Sequence, residues 1–317
     1  MGAGYANPAN IQVSPGQIIT IFVTGLNPDF SQPQRATSTP LPTSLAGISV
    51  SINQGSQNPA VPVPLLAVDQ IDNTLQPAAA PSDSMIVAIT LQIPYELSPD
   101  QTLAAPSTKL VITTTNVVST FSVLALTDAL HVLNTCDAFP SKGLSGGPAN
   151  GSSPCSPTVT HADGTLVTAD APAKPGETVV IYAFGLGQTI PAVRSGDVSP
   201  TPAPILGSGQ PNNPLRTLTL EFDFRPNAGP SKPYILPPPL NTPIPVPRFA
   251  GLTPGQVGLY QINVQLPSTF PTLRPCTPPA LCPDNSVTCP SAIRSNLTID
   301  IGGVNSFGGA AICVQAQ

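Results

Sequence analysis

Short stretches of alternating apolar and polar residues recur along the chain. In residues 18–24, the apolar side chains of Ile19, Ile21 and Val23 stand at every second position. Successive side chains of a strand point to opposite faces, so these three share one face. A Pro-Gly pair at residues 15–16 precedes the stretch, and Gly25 follows it, which is typical of turns at both ends. The pattern predicts a strand with one buried face.

A closely similar stretch occurs 160 positions later. Pro175-Gly176-Glu177 stands where Pro15-Gly16-Gln17 stood, and Val179, Ile181 and Ala183 alternate after it. This spacing is far too long for a solenoid repeat. It indicates two copies of one domain.

Three further matches occur in the same order in both halves. Residues 62–67 match residues 245–250, residues 89–94 match residues 262–267, and residues 110–112 match residues 297–299. The offset drifts between 160 and 187 along the chain, which places insertions in the second copy, chiefly at 226–247 and 271–290. We predict one domain over residues 1–128 and a second over residues 129–317. Residues 128–134, at the boundary, fit a helical turn or a strand equally well.

Proline content decides the fold class. The chain has 43 prolines in 317 residues, well above the usual frequency of about 5%. A proline inside a helix costs about 3 kcal/mol, so long helices are almost excluded. Short runs rich in valine, isoleucine, threonine and leucine lie between turn residues, as in strands. We predict an all-β protein of two tandem immunoglobulin-like β-sandwich domains, without the antibody hallmark, because the chain has no tryptophan.

Charge is scarce and constrains the partners. Only 9% of the residues are charged and the net charge is −5, against about 25% charged residues in an average domain. The 11 basic residues are spread singly, so we expect no nucleic-acid partner. The chain shows no apolar membrane span and no export signal of its own. We therefore expect no membrane insertion and interpret the chain as the mature part of an exported protein.

All the cysteines lie after residue 135. They are Cys136, Cys155, Cys276, Cys282, Cys289 and Cys313. Their spacings do not suit a zinc site, whereas three disulfides suit an exported protein. The sequence allows 15 pairings, among which we favour Cys136–Cys155, Cys276–Cys282 and Cys289–Cys313.

Several of these motifs in combination resemble one family. They include residues 15–22, 40–47 and 93–97 in the first half, and residues 161–164, 175–179 and 257–264 in the second. The chain resembles, over most of its length, the paired C-terminal domain of secreted acidobacterial proteins, the Solibacter-type domain. The resemblance implies export and a tandem of immunoglobulin-like modules similar to IPT/TIG sandwiches. It brings no catalytic residues, since the family has no established activity.

Three motifs could carry catalysis. The Gly143-Leu144-Ser145-Gly146-Gly147 run matches the nucleophile-elbow pattern, but no helix can follow it, so we interpret it as a loop. His161 and Asp163 could form a base and its orienting acid, but Asp163-Gly164 more simply predicts a hairpin turn. Glu221 and Asp223 could form a glycosidase pair, but the strand pattern favours a solvated face.

The remaining candidates concern ligands and modification. Asp69, Asp72 and Asp83 could offer oxygen ligands to calcium, although their spacing matches no known loop. Asn150 and Asn296 match the glycosylation pattern, which we expect to be without effect in a bacterial protein. Tyr95 and Tyr260 could serve as sugar-stacking platforms, but buried tyrosines are the favoured interpretation.

These observations predict a protein without catalytic chemistry or cofactor. The leading hypothesis is an extracellular structural or adhesive module that binds protein partners and self-associates through sheet edges, as in a filament built by strand addition. The alternative is a carbohydrate-binding module that recognises a polysaccharide. The loops of the second copy, at 136–155, 226–247 and 271–290, are the expected source of specificity.

Overall fold

The structure, a computed structural model, confirms an all-β protein. It describes residues 11–26, 32–55, 60–71, 86–100, 107–134, 137, 157–207, 218–222, 247–269, 292–301 and 306–315. The regular elements within these residues are all strands. No helix capable of crossing a membrane occurs in this part of the chain.

The two halves contribute ten strands each to the described residues. Those of the first half are β1 (Ile11–Val13), β2 (Ile18–Thr24), β3 (Gln34–Arg35), β4 (Ser44–Leu45), β5 (Ile48–Gln54), β6 (Val61–Pro62), β7 (Leu65–Ile71), β8 (Ile86–Gln92), β9 (Thr108–Thr113) and β10 (Val118–Ala125). Those of the second half are β11 (His131–Val132), β12 (Val159–His161), β13 (Thr178–Phe184), β14 (Thr189–Ile190), β15 (Ile205–Leu206), β16 (Leu218–Phe222), β17 (Pro247–Leu252), β18 (Tyr260–Gln265), β19 (Ala292–Ile301) and β20 (Ser306–Gln315).

The first half is a sandwich-like pair of sheets. One sheet has the order β1-β10-β9-β5-β4, with β6 also on β5, and the other has the order β2-β8-β7-β3. Buried apolar side chains of both sheets form one cluster that extends from Val13 to Ala125. Ile19, Ile21 and Val23 all belong to it, which confirms the face predicted from their alternation.

The second half has a larger and a smaller sheet. The larger has the order β11-β13-β18-β17-β15-β14, with β12 also on β13, and the smaller has the order β16-β19-β20. Their buried side chains form a second cluster, to which Val179, Ile181 and Ala183 contribute as predicted. A parallel bridge joins Ala173 to Val314, in the same way that the parallel pairing of β1 with β10 joins Val13 to Ala125.

Strand register corrects one of the sequence matches by one residue. A bulge interrupts the β7–β8 ladder just after Leu65, which pairs with Leu91. A bulge also interrupts the β17–β18 ladder just after Pro247, which pairs with Val264. Leu91 and Val264 already correspond in the sequence match, so Leu65 corresponds to Pro247. The match of 62–67 with 245–250 had placed Leu65 opposite Arg248.

The segment between the halves is a strand, so the helical turn considered for residues 128–134 is not formed. His131 and Val132 pair with Phe184 and Ala183 at the outer edge of β13. Just before them, the amide of Ala129 donates to the Gly185 carbonyl at 2.9 Å. The connection therefore extends the sheet of the second half.

Tyr95 joins the two halves. It lies in the turn after β8, yet its side chain is 6% exposed and belongs to the apolar cluster of the second half. Its ring packs on Gly16, where an added Cβ atom would overlap with the ring. An aromatic residue of the first half thus completes the core of the second.

Hydrogen bonds surround this contact. The hydroxyl of Ser195 accepts from the Tyr95 amide at 2.8 Å and donates to the Glu96 carboxylate at 2.5 Å. The Gly196 amide donates to the Gln92 side chain at 2.7 Å, and the Gly196 carbonyl accepts from the Leu41 amide at 2.9 Å. The loop between β14 and β15 is therefore bonded to the first half at several points, which fixes the relative position of the halves.

Gly16 and Gly176 offer a matched test of the Tyr95 contact. Both have positive φ, at 75° and 74°, but a Cβ at Gly176 would meet nothing within 4 Å. Substitution by alanine costs roughly 1–2 kcal/mol at either site for the backbone conformation. Overpacking against Tyr95 adds roughly 1–3 kcal/mol at Gly16 alone. We expect Gly16→Ala to lower the free energy of unfolding more than Gly176→Ala, as measured by urea denaturation.

The double variant Gly16→Ala/Tyr95→Ala serves as the control. Removal of the ring makes room for the new methyl group, so the two effects should not add. Equal destabilisation by Gly16→Ala and Gly176→Ala would contradict the packing of Tyr95 on Gly16.

Candidate functional site

A cleft among the described residues lies beside β12. It has a volume of about 690 Å³ and is open to solvent. Its lining includes the side chains of His161, Asp163, Asp170, Lys174, Glu177 and Gln315. The two residues that the sequence suggested as a catalytic pair, His161 and Asp163, therefore share a cleft.

A tight turn places Asp163 at the rim of the cleft. The Gly164 amide donates to the His161 carbonyl at 3.0 Å, and the His161 amide donates to the Thr165 carbonyl at 2.8 Å. Asp163 accepts from the amide and the hydroxyl of Thr165, at 2.9 and 2.7 Å. These hydrogen bonds lower the pKa of Asp163. The predicted Asp163-Gly164 turn is confirmed, and the carboxylate is bonded within it.

His161 is held between two acceptors. Its Nδ1 lies 2.5 Å from Glu177 Oε1, and its Nε2 lies 3.1 Å from the carbonyl oxygen of Ala171. Only the imidazolium form donates from both nitrogens. Burial lowers the pKa of His161, but the bonds to Glu177 and Ala171, with the negative charges of Glu177 and Asp163, outweigh it and raise the pKa above its usual value.

Glu177 is the residue that sequence reasoning missed. Its other oxygen accepts from the Lys174 amide at 2.7 Å and closes the turn before β13. In the corresponding turn of the first half, Gln17 accepts from the Ser14 amide at 2.9 Å in the same way. The sequence does hold a signal for its role, because Glu177 occupies the position in the second turn that Gln17 occupies in the first.

The arrangement is suited to holding backbone segments together. A general base needs a ring nitrogen free to take a proton from substrate, and both nitrogens of His161 are directed at acceptors. The nearest hydroxyl of the lining, that of Thr165, donates to Asp163. Within the described residues, no group of three or more histidine, cysteine, aspartate or glutamate side chains is placed to hold a metal ion.

A smaller cleft of about 330 Å³ lies against the outer face of β7 and β8. The side chains of Arg35, Asp69 and Asp137 contribute to its lining. Asp137 is paired with His131, with Oδ2 at 2.7 Å from Nε2. Asp69, a possible calcium ligand, is 9% exposed here, whereas Asp72 and Asp83 lie outside the described residues.

Several other candidates cannot be located. Ser145, Asp223, Asn150 and five of the cysteines, Cys136, Cys155, Cys276, Cys282 and Cys289, lie outside the described residues. Glu221 lies on β16 and Asn296 on β19, but only their backbone is described. Cys313 lies on β20 and is disulfide-bonded. Its pairing with Cys289 stays a prediction.

The two candidate sugar platforms are buried. Tyr95 is 6% exposed and Tyr260 is fully buried. The Tyr260 hydroxyl donates to the Gly187 carbonyl. Neither ring is available to stack on a ligand in solvent, which confirms the favoured interpretation of these tyrosines, although Tyr95 lies in a turn and not on a strand.

No protein-family model matches the chain, and no curated protein matches it.

The buried tyrosines predict an alkaline transition. Burial raises the pKa of both Tyr95 and Tyr260, whereas an unfolded tyrosine loses its proton near pH 10. Above that pH the unfolded state binds fewer protons than the folded state, so the free energy of unfolding falls as pH rises. In a near-ultraviolet titration of phenolate, two of the five tyrosines should ionise only as the fold is lost.

Tyr95→Phe and Tyr260→Phe identify the two residues. In each variant, one tyrosine fewer should form phenolate as the fold is lost at high pH. Ionisation of all the tyrosines near pH 10 in a protein that retains its circular dichroism would contradict the burial of this pair.

Proposed function

We propose that this protein is a non-catalytic structural or adhesive module that is exported and self-associates through its sheet edges. In this proposal each half is an immunoglobulin-like domain. The recurrence of strand order, parallel bridge and bulge in the two halves supports a duplicated sandwich. The resemblance to secreted paired domains and the disulfide at Cys313 favour export, since disulfides persist in oxidising compartments.

The junction at Tyr95 is the observation that carries this proposal. Domain interfaces within a chain are commonly small and polar, which permits relative motion. Here a buried aromatic ring and a set of hydrogen bonds join the halves. Two modules in a fixed mutual orientation suit a load-bearing or spacing role, in which the position of one end must determine the position of the other.

One sheet edge is suited to association. The hairpin of β14 and β15 forms the edge of the larger sheet of the second half. Ile190 and Ile205 are paired directly across it and are 53% and 42% exposed. Exposed apolar edges promote pairing with another chain, and natural edges are usually protected by charge. The described polysaccharide candidates are buried, so no observation favours the carbohydrate-binding alternative.

Self-association can be tested by light scattering coupled to size-exclusion chromatography, with electron microscopy of concentrated samples. We expect oligomers that grow with concentration, and we expect Ile190→Lys to shift them toward monomer because a buried lysine opposes edge pairing. Val118→Lys is a matched control, since Val118 is 66% exposed but lies on β10, away from this hairpin. A monodisperse monomer of 32.4 kDa at all concentrations would overturn the assembly proposal.

The non-catalytic character is tested separately. Esterase and glycosidase substrates should be turned over no faster by the wild type than by His161→Gln. A hydrolysis rate that falls by orders of magnitude in that variant would show that the cleft is catalytic.

A further inference from the structure

Two short strands cover the outer edge of β13 from end to end. Residues 159–161 of β12 pair with residues 181–179, and residues 131–132 of β11 pair with residues 184–183. Between these two ladders, Tyr182 donates its amide to the Thr158 carbonyl at 3.3 Å and accepts from the Leu133 amide at 2.8 Å. Each covering strand makes only two or three ladder pairs, so its attachment to β13 depends also on contacts outside the ladders.

Each covering strand carries one of the two histidines of the chain. His161 ends β12 and bonds Glu177, which belongs to the turn that leads into β13. His131 begins β11 and bonds Asp137. The same oxygen of Asp137 accepts from the Asn134 amide at 2.8 Å, which closes the turn after β11. Both histidines therefore tie a covering strand to a neighbouring turn.

The charges around His161 favour its protonated form. Asp163, Asp170 and Glu177 line the cleft at His161, and Lys174 is the cation among its lining residues. At His131, the partner Asp137 lines a cleft with Asp69 and the cation Arg35. The side chains of both pairs are about four-fifths shielded from solvent, with 16% and 21% exposure for His161 and Glu177 and 20% each for His131 and Asp137.

Histidine is the side chain whose ordinary pKa lies between pH 5 and 8. His161 ends β12, one of the two strands that cover this edge, so a change in its protonation acts directly on the cover. A neutral imidazole carries a single N–H, so deprotonated His161 can donate to Glu177 or to Ala171 but not to both.

We propose that protonated His161 fastens β12 over the outer edge of β13, and that loss of this proton loosens this part of the cover. The sign follows from His161, whose pKa is raised in the folded state. Its stabilising contribution is fully present below about pH 6.5, the unfolded pKa, and is lost as pH rises through the folded pKa. In its last step the inference rests on the proposed function, because the released edge of β13 would be a site for strand addition from a second copy.

Hydrogen exchange read by nuclear magnetic resonance tests the fastening itself. Protection factors, corrected for intrinsic exchange, are measured at about pH 5.5 and about pH 8, on either side of the histidine pKa. We expect protection of the β12 amides and of their partners on β13 to fall by up to about tenfold at the higher pH, the factor that one pKa unit represents. Protection in the β5–β9 ladder of the first half should not change.

Substitutions of the histidines show which of them produces the pH dependence, and they distinguish the effect of its charge from that of its shape. His161→Gln should remove the pH dependence at β12, and the matched control His131→Gln, on the other covering strand, should leave it unchanged. His161→Lys keeps a positive charge beside Glu177 at both pH values, so we expect protection of β12 that does not vary with pH. Circular dichroism and urea unfolding at about pH 5.5 verify that each variant is folded.

Two outcomes would overturn the inference. One is equal protection of the β12 amides of the wild type at the two pH values, and the other is an unchanged pH dependence in His161→Gln. Size-exclusion chromatography at both pH values examines the last step alone. A pH-dependent protection without any change in oligomeric state would retain the fastening and reject strand addition at β13.

Discussion

Burial of Tyr95 in the core of the second half is the contact on which the arrangement of the molecule depends. The ring can enter only because Gly16, beneath it, has no side chain. The turn that contains Gly258 also approaches Gly16 closely, and an added Cβ atom at Gly258 would stand 2.7 Å from the Gly16 carbonyl oxygen. A buried aromatic ring contributes several kcal/mol to a core, so the stability of the second half depends on the position of the first.

The two Pro-Gly turns show how one local structure can acquire different roles. Gln17 and Glu177 both accept a backbone hydrogen bond from the residue three positions earlier. The side-chain nitrogen of Gln17 donates to the carbonyl of Ala129, which lies in the connection between the halves, at 3.3 Å. The second carboxylate oxygen of Glu177 can only accept a hydrogen bond, and its partner is His161. With an amide, the first turn bonds the connection between the halves. With a carboxylate, the second turn bonds His161 of β12, one of the strands that cover β13.

Much of the fold was accessible from the sequence because its signals are local. The period-two alternation at residues 18–24 and 178–184 identified both buried faces, and Asp163-Gly164 identified its turn, since each depends on neighbouring residues alone. The role of Tyr95 was not accessible, because it arises from a contact between segments far apart in the chain. The misplacement of Leu65 against Arg248 has a different origin, since the match followed the Pro-Val-Pro run that both segments contain, whereas the pairing of each strand with its neighbour places Leu65 at the position of Pro247.

The scarcity of charge explains why the cover of β13 takes this form. Natural sheets commonly protect their edges with lysine side chains, but 11 basic residues in 317 leave few for this purpose. Here short strands perform the protection by hydrogen-bonding the edge directly. A strand of two or three residues is held weakly by its ladder alone, and the side-chain hydrogen bonds of His131 and His161 supply additional attachment. The proton on an imidazole thereby becomes part of what holds the sheet together, which no arrangement based on lysine would produce between pH 5 and 8.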